Sequence, residues 1–287
     1  MIEPGDLELQ RLDIEGTKQL LHWAKMEGWN PGNHDYEVFW KTDPEGFYGF
    51  YLDGHLIAGG AVISYDGEYG FMGLFIVHPD YRGKGIGKKL WYLRRDLLLS
   101  RLKEGASIGM DGVVDMQPFY NQGGFEIAFK DERYECLGIS SGISEHVSEI
   151  EQNDFDTIEN YDRICFGFKR TEFLQNWLTL PDSKAFKYSV ENQLKGFAVI
   201  REVDPGFKIG PLFADDEEVA EELYKSCLNS AIGQPVYLDI PTTNEEAVNL
   251  VKKYDAKYVF ECARMYYGKE PETPINKVFG ITTFELG

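Results

Sequence analysis

Between Gly73 and Trp91 the chain reads GLFIVHPDYRGKGIGKKLW, and few architectures accommodate such a run. An apolar, strand-forming stretch stops at Pro79, which has no N–H to continue a ladder. Gly83, Gly85 and Gly87 then alternate with Lys84 and Ile86 behind Arg82, and a helix is expected from about Gly87 to Lys103. Glycines let a backbone turn tightly and bring several N–H groups up to a ligand. The first N–H groups of a helix have no internal acceptor, and the helix dipole favours negative charge there. Strand, loop and helix start together make a pyrophosphate cradle, with Arg82 and Lys84 or Lys88 as outer neutralisers. A plain tight turn would need one glycine, not three. A P-loop would need Ser or Thr where Lys89 stands, and a dinucleotide loop would need GxGxxG rather than GxGxG.

The residues around this segment supply a sheet. Phe47–Leu52, His55–Tyr65 and Glu68–Val77 are rich in Phe, Tyr, Val and Ile, and Asp53-Gly54 and Asp66-Gly67 separate them as hairpin turns. Thr17–Glu27 has helical periodicity, with Leu20, Leu21 and Ala24 on one face, and Asp35–Trp40 fits a short second helix. After the loop helix come a strand at Ser107–Gly112, a short helix at Gln117–Gln122 and a strand at Phe125–Leu137. Part of this order recurs. Gly59, Ala61, Val62, Ile63 and Gly73 fall without a gap on Gly196, Ala198, Val199, Ile200 and Gly210. A helix (Glu217–Ala231), a strand (Val236–Ile240), a helix (Glu245–Tyr254) and a strand (Tyr258–Tyr267) follow. The expectation is an α+β chain of two tandem copies, each a mostly antiparallel mixed sheet flanked by helices. The Gly/Ser stretch Gly138–Ser144 divides it into residues 1–138 and 144–287.

Composition narrows the function. The 287 residues are 43% hydrophobic and 14% aromatic, enough for a sizeable core, and the net charge of −19 argues against nucleic acid as a partner. Most of the cations between Arg82 and Lys103 face few acids; from Arg94 to Lys103 they read as a solvated helix face. Met1–Gln10 lacks the apolar core of a signal peptide, and no apolar run is long enough to cross a bilayer. Cys136, Cys165, Cys227 and Cys262 read as unrelated thiols, and the five histidines show no metal spacing. A cytoplasmic protein without a metal is expected.

Val77-His78-Pro79-Asp80-Tyr81-Arg82-Gly83-Lys84-Gly85-Ile86-Gly87 resembles the V-x-P-x-[YF]-R-G-x-G-[IV]-G signature of the GNAT superfamily of acyl-CoA-dependent N-acyltransferases. Phe119-Tyr120-Asn121-Gln122-Gly123-Gly124-Phe125 resembles the FYxxxGF turn near the end of that fold. The whole chain, with WAKMEGWNPG and RMYYG, is similar to a tandem branch whose second half is a divergent copy. The resemblance implies that amides from Gly83 to Lys88 hold the pyrophosphate of acetyl-CoA, flanked by Arg82, Lys84 and Lys88. It implies that Phe75, Ile76 and Val77 pair with the pantetheine arm and polarise the thioester, and that Tyr120 protonates the leaving thiolate. Where the superfamily often carries an Asn, seven residues before that Tyr, Val113 stands.

Attack of an amine on a thioester needs a neutral amine, a polarised carbonyl and a proton donor, but no covalent enzyme intermediate. No GxSxG or recognisable cysteine nucleophile is present. Glu27, Asp35, Asp111 and Asp115 are candidate bases, beside a relay of water to solvent. Trp23 reads as core, whereas the turn-forming Trp29-Asn30-Pro31-Gly32 leaves Trp29 free of a core register. Glu27, Trp29, Asn30 and Asp35 are therefore the expected contacts to a small-molecule or peptide amine, which plentiful acid would favour in cationic form. The register above replaces Arg82, Gly83, Gly85 and Gly87 with Val219, Ala220, Glu222 and Tyr224, behind four acids at 215–218. The second copy is thus expected to shape the acceptor cleft without binding CoA. The loop alone would serve a non-catalytic acyl-CoA-binding module equally well; Tyr120 in its turn motif favours an enzyme.

Overall fold

The structure, a computed structural model, describes residues 7–287, so the Met1–Asp6 part of the N-terminal reading lies outside the described residues. The first half runs β1 (Gln10–Arg11), α1 (Ile14–Met26), α2 (Asp35–Thr42), β2 (Phe47–Leu52), β3 (His55–Tyr65), β4 (Tyr69–Val77), α3 (Ile86–Arg101), β5 (Ser107–Val113), α4 (Gln117–Gln122) and β6 (Glu126–Leu137). The second runs β7 (Val147–Glu149), α5 (Phe155–Phe166), α6 (Thr171–Trp177), β8 (Ser183–Val190), β9 (Gln193–Glu202), β10 (Phe207–Ala214), α7 (Glu217–Asn229), β11 (Pro235–Pro241), α8 (Glu245–Lys253), β12 (Lys257–Tyr267) and β13 (Val278–Gly280). Leu20, Leu21, Trp23 and Ala24 of α1 are all buried, as its periodicity and the core assignment of Trp23 require.

All thirteen strands of the described residues belong to one sheet, ordered β1-β2-β3-β4-β5-β12-β6-β11-β10-β9-β8-β7, with β13 on β10. The copies mirror one another about its centre. β4 and β5 pair in parallel, as do β10 and β11, while the other strand pairs are antiparallel. The last long strand of each half crosses over. β12 pairs with β5 of the first half, and β6 pairs with β11 of the second. Each half therefore completes its sheet with a strand from the other, and β6 and β12 meet along the middle.

Buried ion pairs tie the halves together. Arg133 forks onto Asp239 at 2.6 and 2.7 Å, Arg264 onto Asp111 at 2.7 and 3.0 Å, and Arg201 onto Asp35 at 3.0 and 3.2 Å. Such pairs gain little over a well-packed apolar contact, but removing one partner strands a charge.

The solvated-face reading of the cations from Arg94 to Lys103 holds for the exposed Lys103 and is corrected for Arg94 and Arg101. Arg94 is wholly buried; its Nη2 donates to Gly73 O at 2.8 Å and to Ala61 O. A Cβ on Gly60 would overlap its guanidinium, so that glycine opens the slot. Arg101 Nη2 donates to both carboxylate oxygens of Asp43, at 2.7 and 2.8 Å.

Candidate active site

β4 and β5 pair only from Tyr69–Phe71 to Ser107–Gly109, and then they part. The register of β4 on β3 shifts at this point, Leu74 takes φ 50°, and the free edge of β4 borders a cavity. The chain then turns at Pro79–Tyr81 and enters α3 through Gly83 (φ 73°) and Gly85 (φ 76°), left-handed positions that strain a side chain. Gly87 serves differently. A Cβ there would lie 3.2 Å from Val77 Cγ2 and 3.4 Å from Phe75 Cζ, so its absence lets α3 close onto β4. The first helical bond runs from Lys89 N–H to Gly85 O at 3.2 Å, which leaves the amides of Ile86, Gly87 and Lys88 without a helical acceptor.

Cradle and strand edge open into one cavity of about 660 Å³. Phe75, Ile76, Val77, Arg82, Gly83, Gly85, Gly87 and Lys88 line it, together with Tyr120, Val113, Glu27 and Trp29. Tyr120 is buried and stacks on Trp91 at 5.9 Å between ring centroids. Burial pushes its hydroxyl well above the usual tyrosine range, against the pull of the Arg94 charge, so it stays protonated at neutral pH. Burial also pushes the Arg94 guanidinium down to about 9, which leaves it charged at neutral pH.

Sequence profiles match both halves: the "Acetyltransferase (GNAT) family" over residues 14–125 and the "Acetyltransferase (GNAT) domain" over 158–280. The chain is 30% identical to holothin acyltransferase of Pseudoalteromonas sp. (strain SANK 73390) over 278 residues, covering 96% of this chain and 92% of that one. The chain belongs to the GNAT acetyltransferase family. A putative acetyltransferase from Pyrococcus horikoshii shares the fold at TM-score 0.83 and 20% identity, over 98% of this chain and 96% of that one. A tandem GNAT protein from the clavulanic acid biosynthesis pathway does so at 0.65 and 12%, over 93% and 100%. This is a GNAT acyltransferase with two tandem GNAT domains, a class that draws on acyl-CoA and acylates amines. Among the described residues no helix is long and apolar enough to cross a membrane.

The cavity of this GNAT protein gathers most of the residues picked from sequence, but not all. Ile86 turns its side chain into the core, and Lys84 reaches back to Asp80 O at 2.6 Å. Asn30 and Asp35, expected as acceptor contacts, do not line the cavity. Asn30 Nδ2 donates to Asp204 O at 3.3 Å; Asp35 is wholly buried, accepting Gly32 N–H at 2.8 Å and holding Arg201. Both carry contacts between the halves because the WNPG turn, whose Gly32 bridges to Val203, lies against the second copy.

The candidate bases divide in the same way. Glu27 lines the cavity but pairs with Arg82, whose Nε holds Val77 O at 2.9 Å. Asp111 also lines it, with both oxygens on Arg264, while Asp115 sits exposed at the rim. Sequence reasoning missed the far wall, which is Phe260 and Cys262 of β12 with Phe284 and Glu285 of the segment after β13. Only the strand exchange brings β12 there, and no local pattern announces it. Burial and nearby acids push the Cys262 thiol far above its usual range, which makes it a poor nucleophile.

Proposed function

We propose that this GNAT protein transfers an acetyl group from acetyl-CoA to a primary amine by direct attack in a ternary complex. The observation that carries this reading is the single cavity joining the amide cradle at Gly83–Lys88, the unpaired edge of β4 and Tyr120. The cradle suits a pyrophosphate, since its amides lack helical acceptors and Arg82 and Lys88 stand beside it. The β4 edge at Phe75–Val77 offers backbone groups to the amides of a pantetheine arm, as an added strand would use them. An N–H at the splay would polarise the thioester carbonyl, and Tyr120 would give its proton to the departing sulfur. The raised Cys262 thiol supports direct attack over an acyl-cysteine route.

Residues 1–138 would hold the cosubstrate and residues 144–287 would supply the acceptor wall, through Phe260 and Phe284. Trp29 of the first half completes the aromatic lining. The similarity to holothin acyltransferase supports acylation of a small-molecule amine. Four cysteines without a disulfide fit a cytoplasmic setting. Thiol release from acetyl-CoA should depend on an added amine and yield one amide per thiol. Thiol release without amide, or no acetyl-CoA binding by calorimetry, would reject the proposal.

A further inference from the structure

We propose that the second copy's lost cosubstrate slot anchors the segment 278–287, and that this segment delivers Glu285 to the first copy's site as the base for a protonated primary amine. β10 and β11 part after Ile209 and Leu238, just as β4 and β5 part after Phe71 and Gly109. In the first copy the exposed edge is Phe75–Val77. Its counterpart in the second, Leu212–Ala214, is paired with β13 through Leu212↔Gly280 and Phe213↔Val278. A strand of the chain itself occupies the place where a pantetheine arm would add. A Cβ on Gly280 would lie 2.5 Å from Leu238 Cδ1, so the seat is tight.

From this seat the segment crosses to the other splay. A Cβ on Gly210 would overlap Thr282 O, and one on Gly73 would overlap Glu285 O, so the corresponding glycines of both copies clear its path. The Glu285 backbone therefore packs against Gly73 at the bulge of β4, and Gly73 stands one residue before Leu74 and two before Phe75, where the thioester would lie. Its orientation is fixed locally. Glu285 N–H donates to Thr283 Oγ1 at 2.9 Å, and the Thr283 hydroxyl donates to Oε2. Oε1 is buried with no hydrogen-bond partner among the described residues, although Glu285 lines the cavity. A buried carboxylate oxygen without a donor is costly, and an ammonium N–H would supply one. Asp131 also has unpartnered oxygens, but it does not line the cavity.

The step balances as follows. The bound ammonium gives its extra proton to Glu285 Oε1, and the freed lone pair forms the N–C bond at the thioester carbonyl. The C–S bond breaks with its electrons on sulfur, which takes the Tyr120 proton; the second nitrogen proton returns to Tyr120, and Glu285 releases its own to solvent. Trp29, Phe260 and Phe284, which line the same cavity as Glu285, suit an amine on an aromatic group.

This inference rests on the function proposed above, and the two can fail separately. The groups facing Glu285 are Asp111 of β5 with its Arg264, Arg133 of β6 with its Asp239, Lys208 of β10 and Cys262 of β12. Thiol release is followed across pH with acetyl-CoA and two probes: phenethylamine, an ammonium at neutral pH, and aniline, already neutral. Glu285→Gln should bind acetyl-CoA as the wild type does and lose about 10²–10³ in kcat/KM for phenethylamine at neutral pH. That deficit should shrink about tenfold per pH unit as solvent deprotonates the amine, while aniline turnover changes by less than about tenfold. Should Glu285→Gln lose acetyl-CoA binding through misfolding, Thr283→Val decides. It keeps the carboxylate, frees its orientation, and should show the same pH trend with a loss of about tenfold. A wild-type pH profile in the folded variant overturns the role of Glu285 alone. A wild type that binds acetyl-CoA but acylates neither probe overturns the ammonium class, and one that does not bind acetyl-CoA overturns the function itself.

Discussion

The two copies share a bulged strand, a parting of parallel neighbours and a helix, yet they treat the start of that helix oppositely. In the first copy α3 begins on Gly85, in left-handed conformation and with no capping side chain, so its early amides stay available. In the second, Asp216 caps α7 by accepting Val219 N–H at 3.0 Å, and Asp215 is taken up by Lys277 at 2.9 Å and Tyr161 at 2.8 Å. A helix end left unsatisfied by its own chain can receive an anion; one satisfied internally is structural. The splays follow suit, open in one copy and filled by β13 in the other. The duplicated fold withholds internal partners from one copy's helix start and supplies them at the other's.

The largest expected effect tests the open copy. Tyr120→Phe removes one hydroxyl, so turnover should fall by about 10²–10⁴ while acetyl-CoA affinity holds. Single-turnover kinetics beside calorimetry would show it, and wild-type turnover with intact binding would remove Tyr120 from the mechanism. Next comes the contact between the copies. Asp35→Ala strands the Arg201 guanidinium against Trp177, 4.4 Å from its ring centroid, and should cost about 3–5 kcal/mol of stability. Denaturant unfolding measures this. An unchanged midpoint with a raised amine KM would restore Asp35 as a substrate contact.

Gly85→Asp should give the first helix start the character of the second. A carboxylate and a strained left-handed residue would remove one or two charge-assisted hydrogen bonds, about 1.5–3 kcal/mol each in acetyl-CoA binding. The reverse change at the second helix start, Asp216→Gly, should leave titration at one acetyl-CoA per chain; a second site would break the comparison. The effect that is smallest per pH unit concerns Lys208, the counterpart of Phe71. Burial and Arg133 push its ammonium down to about 7, and it donates to Trp29 O at 3.2 Å. The unfolded chain binds that proton more tightly between about 7 and 10.5, so stability should rise with pH across this window by up to about 1.4 kcal/mol per unit. Lys208→Met should flatten the slope, and urea midpoints taken across the window would reveal a slope that persists.

What the sequence disclosed and what it hid follow a physical line. The cradle was readable because alternating glycines and cations are a local pattern whose geometry is set by a few dihedrals. The duplication was readable from the element order, and the shared bulges near Leu74 and Gly210 agree with it. The crossing of β6 and β12 was not readable, because alternation fixes which face a strand buries but not which neighbour it takes. Arg94 was misassigned because a cation at a helical position looks the same buried or exposed; the only hint was the Gly59-Gly60 pair beneath it. Glu285 had no motif at all. Its meaning comes from the glycines at 73 and 210, which each half needs for reasons visible only when the halves are together.

The crossed strands carry a kinetic consequence. Arg264 and Asp111, neighbours across β12 and β5, are 153 residues apart in sequence, and β5 gains no outer partner until β12 has been synthesised. The first half therefore leaves the ribosome with an open sheet edge, the kind of edge that invites pairing with other chains. Contacts of such separation slow folding, and the edge stays exposed for as long as they take to form. Once β12 and β6 lock together, neither half can melt without unzipping the other. Unfolding should then appear as one transition reported alike by Trp91 of the first half and Trp177 of the second.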